Sequence, residues 1–358
     1  DGAHHRYETM QVRVDDDGPF DPLPSSSDVS DPMENGTLAR PFDAIQEGIN
    51  AAGPGDVVMV MDGTYRGKGN WELEFQAKPI TVRSANGPGS TVIDLELFSW
   101  FHFVAFGAGE TRATRFQGFH VTNFDPWNNG ARAIRFGHGS SPTVEECRFT
   151  QAALNTGAIG LEGRTRGKIS RCEFDRFPIG IQIDEGRPLI SDCLFHGGNT
   201  GINLAMGLGT TDCANSTVPL TVQTTITGAG VGLRAVPGAF PTVENSILWD
   251  NTTQILTPNP GDVTVRHSDV QGGWPGVGNI NTDPLFVNAL ADDYRLTAGS
   301  PTIDAANNTA AGNGAADLEG GTRFFDRPGT PDTGIGPPPI ADMGADEWTD
   351  CNGNGIDD

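Results

Sequence analysis

Between residues 142 and 248 the apolar positions return in a fixed order. PTVEECRF (142–149), GKISRCEF (167–174), PLISDCLF (188–195), PLTVQTTI (219–226) and PTVENSIL (241–248) align without gaps, with starts 25, 21, 31 and 22 residues apart. Three columns are apolar or small: Val144/Ile169/Ile190/Thr221/Val243, Cys147/Cys172/Cys193/Thr224/Ser246 and Phe149/Phe174/Phe195/Ile226/Leu248. The register continues upstream to Phe116, Phe119 and Val121, and downstream to Val265, Ser268 and Val270. A second alternating pair precedes most units, as in Ile134/Phe136, Ile159/Leu161, Ile181/Ile183, Ile202/Leu204 and Val231/Leu233. Alternation at i, i+2 predicts short strands, and the Gly and Pro between them predict turns.

A unit of this size cannot bury its inner face alone. Stacked units can, by pairing each strand with its equivalent about 4.8 Å above and below. Like residues then form ladders, which explains a column of Phe and another of Cys. The spacing of 31 marks an insertion at 206–217. Upstream, PFDAIQEGINAA (41–52) places Phe42, Ile45 and Ile49 on one helical stripe, begun by Pro41 and stopped by Gly53-Pro54-Gly55. It predicts a helix that closes the N-terminal end. VVMVM (57–61), ITVRS (80–84) and TVIDLE (91–96) predict the first strands.

Residues 1–40 are rich in Pro, Ser and Asp and keep no period, apart from partial alternation over YETMQVRV (7–14). A lone strand there must add to a sheet edge. End-on docking onto a second copy would make homotypic, filament-forming assembly through residues 1–40; docking on its own coils is the plain alternative.

The segments PFDAIQEGINAAGPGDVVMVMDGTYRGKG (41–69) and ITVRSANGPGSTVID (80–94) resemble the right-handed parallel β-helix proteins of the pectate-lyase-like superfamily. GNINTDPLFVNALADDYRLTAGSPTIDAAN (278–307), DLEGGTRFFDRP (317–328) and ADMGADE (341–347) resemble the tail of bacterial secreted "choice-of-anchor Q" proteins. The resemblance implies an all-β, right-handed parallel β-helix with an N-terminal capping helix and a loop-rich C-terminal cap. It also implies an extracellular or cell-surface location with a signal peptide already removed. The expected organisation is an irregular arm (1–40), the β-helix with its N-terminal cap (41–275), a C-terminal cap region (276–347) and an acidic tail (348–358).

Composition narrows the partners. With 23 Lys+Arg against 46 Asp+Glu the formal net charge is −23, which disfavours nucleic acid and anionic membranes as partners. No apolar run approaches the ~20 residues of a spanning helix. The five Cys (147, 172, 193, 213, 351) follow no zinc spacing.

The position before the Cys column reads Glu146, Arg171, Asp192, Gln223, Asn245, His267 and is expected to face outward. Glu146, Arg171 and Asp192 are the catalytic candidates. The two acids would stand roughly 9–10 Å apart, near the limit for an inverting carboxylate pair. Arg171 between them would hold both ionised, which opposes a general-acid role. Arg164, Arg166, Lys168 and Arg187, on neighbouring turns, are candidates for binding an acidic extracellular polysaccharide, or for pairing with Glu162 and Glu185 across coils. Asp350, Asn352, Asn354 and Asp358 resemble the oxygen donors of a Ca²⁺ loop without its final bidentate acid. Asp304, Asp317, Asp326, Asp342, Asp346 and Glu347 read as turn carboxylates serving backbone N–H groups, some able to hold Ca²⁺. No cofactor is required by this reading. It favours a non-catalytic structural, adhesive or self-assembling protein. The alternatives are a polysaccharide lyase or glycoside hydrolase, and a non-catalytic glycan-binding module.

Overall fold

In the computed structural model the described residues are 10–16, 33–97, 102–124, 132–137, 139–150, 157–162, 165–205, 220–310, 312–327 and 329–350. Each central unit contributes three strands, one to each of three parallel sheets. One coil runs Thr143–Glu145, Arg148–Thr150 and Gly157–Leu161. The next runs Lys168–Ser170, Glu173–Asp175 and Ile179–Ile183. We call these sheets 1, 2 and 3; among the described residues they hold ten, nine and eight strands. The architecture is the expected parallel β-helix.

The register follows the sequence columns. Phe116, Val144, Ile169, Ile190, Thr221, Val243 and Val265 pair in turn along sheet 1. Phe149, Phe174, Phe195 and Ile226 do the same along sheet 2. Apart from Thr221, which is buried but polar, these side chains belong to one continuous core. Phe149 and Phe174 stack with centroids 5.1 Å apart, and Phe174 and Phe195 at 4.5 Å. Gly180 makes room for the ladder: a Cβ there would lie 2.6 Å from the Phe195 ring.

The N-terminal end departs from the expected helix. The helix runs only Ile45–Ala51, and its first free N–H, of Ile45, donates to Asn70 Oδ1 at 2.9 Å. Phe42 lies before it in extended backbone and bridges Val14. Spacing alone could not separate these states, because a bridging residue and a helical one bury the same side chain. The helix packs close to the sheet at Gly48, where a Cβ would meet Val14 and Val58 at 2.7 Å.

The arm strand, Gln11–Val14, lies parallel to Val57–Val60 and is the first strand of sheet 1 in its own chain. Its outer edge is occupied as well: Arg13 N–H donates to Gly36 and Phe42 N–H to the Arg13 carbonyl. At the far end, Ile280 bridges Asp269 and Val277 accepts from His267 N–H. Among the described residues, therefore, edges expected to receive a second copy are covered from within the chain. Residues 1–9 and 17–32 of the arm lie outside the described residues. No helix among the described residues is long and apolar enough to cross a membrane.

The C-terminal region does more than close an end. Beyond residue 284 it turns back along the outside of the coils. It builds a second core of Ile247, Leu296, Ile303, Ala305, Ala306, Ala341, Met343 and Trp348.

Candidate functional site: a latched bend

The bend between sheets 1 and 2 holds the candidate ladder. Glu146, Arg171, Asp192, Gln223, Asn245 and His267 all take positive φ, between 45° and 56°, and Gly118 takes the place one coil earlier with φ 81°. One left-handed residue makes the chain turn sharply from sheet 1 into sheet 2. Non-glycine residues there cost backbone energy, and the next residue helps secure the bend. Its side chain donates to the carbonyl two residues back, from Cys147, Cys172 and Cys193 at 3.2–3.3 Å, and from Thr224, Ser246 and Ser268 at 2.8–3.1 Å. The Cys column is thus a ladder of small donors, and these three thiols are free and buried. Burial pushes the thiols of Cys147 and Cys172 well up, so they do not ionise near neutral pH. Cys213 and Cys351 lie outside the described residues.

The ladder is not the open surface that alternation suggests. Asp192, Gln223, Asn245 and His267 are buried. The returning C-terminal segment covers the middle of the ladder: Asn307 N–H donates to Asn245 Oδ1 at 2.8 Å, and Gly314 N–H to Gln223 at 3.4 Å. Arg323, 0% exposed, donates to Asp192 Oδ1 at 2.8 Å. The same guanidinium donates to the Ala345 carbonyl at 2.6 Å and the Asp346 carbonyl at 3.0 Å, and stands 3.7 Å from Glu347. Asp192 is therefore half of a buried latch. The expectation that it faces outward beside Glu146 and Arg171 is corrected by this covering segment.

Glu146 and Arg171 are locked to each other. Arg171 forms ion pairs with Glu146 and, at 3.6 Å, with buried Glu145. Gln117 donates to Glu146 at 2.6 Å. Burial pushes the Glu146 carboxyl up, but the hydrogen bonds from Gln117 and Arg171 outweigh it and hold the group below its usual range. Burial likewise disfavours the Arg171 charge, and Glu146, Glu145 and Asp192 more than restore it. An acid held ionised cannot donate a proton, and an Arg held charged cannot accept one.

The basic candidates are scattered. Arg164 lies outside the described residues. Arg166 is exposed, and its carbonyl accepts from Arg112. Lys168 begins its strand on the outer side of sheet 1, beside Thr143 and Leu189. Arg187 N–H donates to the Thr165 carbonyl at 2.7 Å. Glu162 pairs instead with Arg135, at 2.6 and 2.8 Å. Of the tail, Asp350 is described and Asn352, Asn354 and Asp358 are not.

Sheet 3 carries a further row of polar residues on its outer side. One outward column runs Arg135, Gly160, Gln182, Asn203, Arg234. The Arg132 stem lies over Gly160, where a Cβ would meet it at 2.7 Å. Asn203 donates to Gln182 at 2.7 Å, and Arg234 is exposed.

Sequence reasoning missed Arg323. It sits in an aperiodic run, and its partner is 131 residues away. It also missed a second contact of the returning segment, where buried His196 sits 3.0 Å from Glu173 and packs on Tyr294. Neither leaves a local pattern.

The returning segment buries several acids. Asp342 accepts from Asp304 and Trp348 N–H groups, and Glu347 from Phe325 and Asp342. Burial nevertheless pushes Asp342 up to about 7 and Glu347 well above its usual range. Asp269, under the end segment, rises to about 7 for the same reason, and Asp304 to about 6. Raised acids contribute stability that is complete below their unfolded values and is lost as pH rises through the folded ones. Glu146, Glu173 and Asp94 are shifted down, so their contribution is lost as pH falls below the usual carboxylate range. The melting temperature in metal-free buffer is therefore expected to peak near pH 4, about the unfolded carboxylate values, and to fall by roughly 5 °C or more between there and pH 8. A scan showing a flat or rising Tm over that interval contradicts the assignment.

Residues 111–284 match a family model described as a right handed beta helix region. No curated protein sequence matches the chain. Among solved structures, a rhamnogalacturonan lyase superposes with a TM-score of 0.51 at 16% identity, over 75% of this chain and 73% of that one. Pectate lyase Pel9A gives 0.48 at 14% identity, over 95% and 97%. Pectin methylesterase PemA from Erwinia chrysanthemi gives 0.38 at 14%, over 75% and 82%. At these identities the likeness is one of fold. The family match ends at residue 284, where the returning segment begins. The chain is a right-handed parallel β-helix protein, with its central coils similar to that family.

Proposed function

We propose that this chain is a secreted or cell-surface β-helix protein with a structural or adhesive role, holding partners without turning them over. The observation that carries the reading is the fate of the acid–Arg–acid ladder. Asp192 is consumed in a buried latch with Arg323, and Arg171 is clamped by two carboxylates. Both sides of an acid–base pair are thereby spent on holding the molecule together. A second reading, binding of an acidic polysaccharide without turnover, is favoured by exposed Arg234 and half-buried Arg135 on the outer side of sheet 3.

Incubation with pectin, alginate and other uronate polymers is expected to yield no unsaturated product. A rise in ultraviolet absorbance from a new double bond, abolished by Arg171→Ala, rejects the non-catalytic reading. Retained binding of the same polymers that Arg135→Ala and Arg234→Ala together weaken selects the glycan-binding form of it.

A further inference from the structure

One carboxylate of the returning segment lacks the donors its neighbours have. Asp304 is 0% exposed and sits between Ile303 and Ala305 of the second core. Neither of its Oδ atoms accepts a hydrogen bond of ordinary geometry, and the Arg327 backbone N–H and guanidinium only partly offset the cost of its burial. Asp342, Glu347 and Asp317, by contrast, each accept backbone N–H groups. A buried carboxylate without donors is costly, and adding like charge beside it is worse. Yet exposed Asp326 and Asp332 are brought to it, so that one oxygen from each of the three lies within 4.8 Å of the others. The loop is fastened there by its backbone: Thr333 and Gly334 N–H groups donate to the Asp304 carbonyl at 2.9 and 3.0 Å. Arg327, the cation of the same loop, places its guanidinium 4.7 Å over the Trp348 ring and donates to Thr330 at 2.7 Å.

We propose that Asp304, Asp326 and Asp332 form a calcium site that fastens the 326–332 loop to the second core. The donors are all hard oxygens, which suit Ca²⁺ or Mg²⁺ and not a metal that prefers Cys or His. Calcium bonds of about 2.3–2.6 Å place opposite donors just under about 5 Å apart, and calcium tolerates an irregular shell. Magnesium demands a tighter octahedron and keeps its waters. The two exposed carboxylates leave one side of the ion to water. This site is separate from the acidic tail at 350–358.

The test is thermal unfolding of the full chain in chelator and in saturating calcium, with calorimetric titration of calcium alone. The native chain and Asp350→Asn should each gain roughly 4 °C in calcium. The pair Asp326→Asn/Asp332→Asn, at exposed positions that leave the core intact, should show neither the gain nor the calorimetric site. Asp304→Asn should also lose the response, while melting higher than the native chain in chelator because the buried charge is gone. The proposal is overturned if the native chain shows no binding and no gain at millimolar calcium. It is equally overturned if the paired variant keeps the response, if Asp350→Asn alone abolishes it, or if magnesium gives an equal gain.

Discussion

Replacing Arg323 by leucine is expected to cost about 3–5 kcal/mol, because it leaves Asp192 as a buried charge without its partner. The loss extends beyond one ion pair. The carbonyls of Ala345 and Asp346 lose their donor, and Glu347 loses its neighbouring cation. The damage should be local. The coils below are stacked on one another through their own ladders, whereas the returning segment is held by this latch, by the Asn245 and Gln223 contacts, and by a small second core. Limited proteolysis should therefore cut the variant first within 285–350, while far-ultraviolet circular dichroism stays near that of the native chain. Adding Asp192→Asn should recover part of the loss, since it removes the stranded charge with a residue that tolerates positive φ. A variant within about 1 kcal/mol of the native chain, with an unchanged proteolysis pattern, rejects the latch.

Phe174→Ala is the second large effect, expected at about 3–5 kcal/mol. The ring is sandwiched between Phe149 and Phe195, with interplanar angles of 9° and 4°. Its removal leaves a gap between two rings whose positions are set by hydrogen-bonded strands on either side. Neither ring can close it without breaking the register Phe149↔Phe174↔Phe195. A cavity that cannot collapse is the costly kind. Phe174→Leu should cost less than half as much. Urea unfolding is the measurement, and a loss of under about 1 kcal/mol for the alanine variant would falsify the ladder.

Much of the fold was legible because parallel stacking writes the same chemistry into every coil. Val144, Ile169 and Ile190 are alike because each meets the next. The Cys column was legible as interior small residues. Its donor role was not, since it depends on the left-handed bend one residue earlier. What alternation reports is which side of a strand points away from its own coil. It carries no information on what else comes to rest on that side, and so Asp192 read as surface. The covering segment has no period, and Arg323 and Asp304 owe their roles to contacts with distant or aperiodic stretches. The polar column of sheet 3 was visible only as the outward residues between Ile134 and Phe136, Ile181 and Ile183, or Ile202 and Leu204; that Gln182 is buried was not.

The latch also sets an order in which the molecule can assemble during synthesis. Each coil pairs with its predecessor across only 21–31 residues of sequence, so the solenoid can grow coil by coil as the chain emerges. Arg323 meets Asp192 across 131 residues, and Ala345 meets Thr225 across 120. Those contacts wait until almost the whole described chain has been made. Until then the Asp192 carboxylate stays hydrated on a finished coil, and the cost of burying it falls on the final docking step. Vectorial growth is thus rapid and local, and closure is a single late event of high contact order.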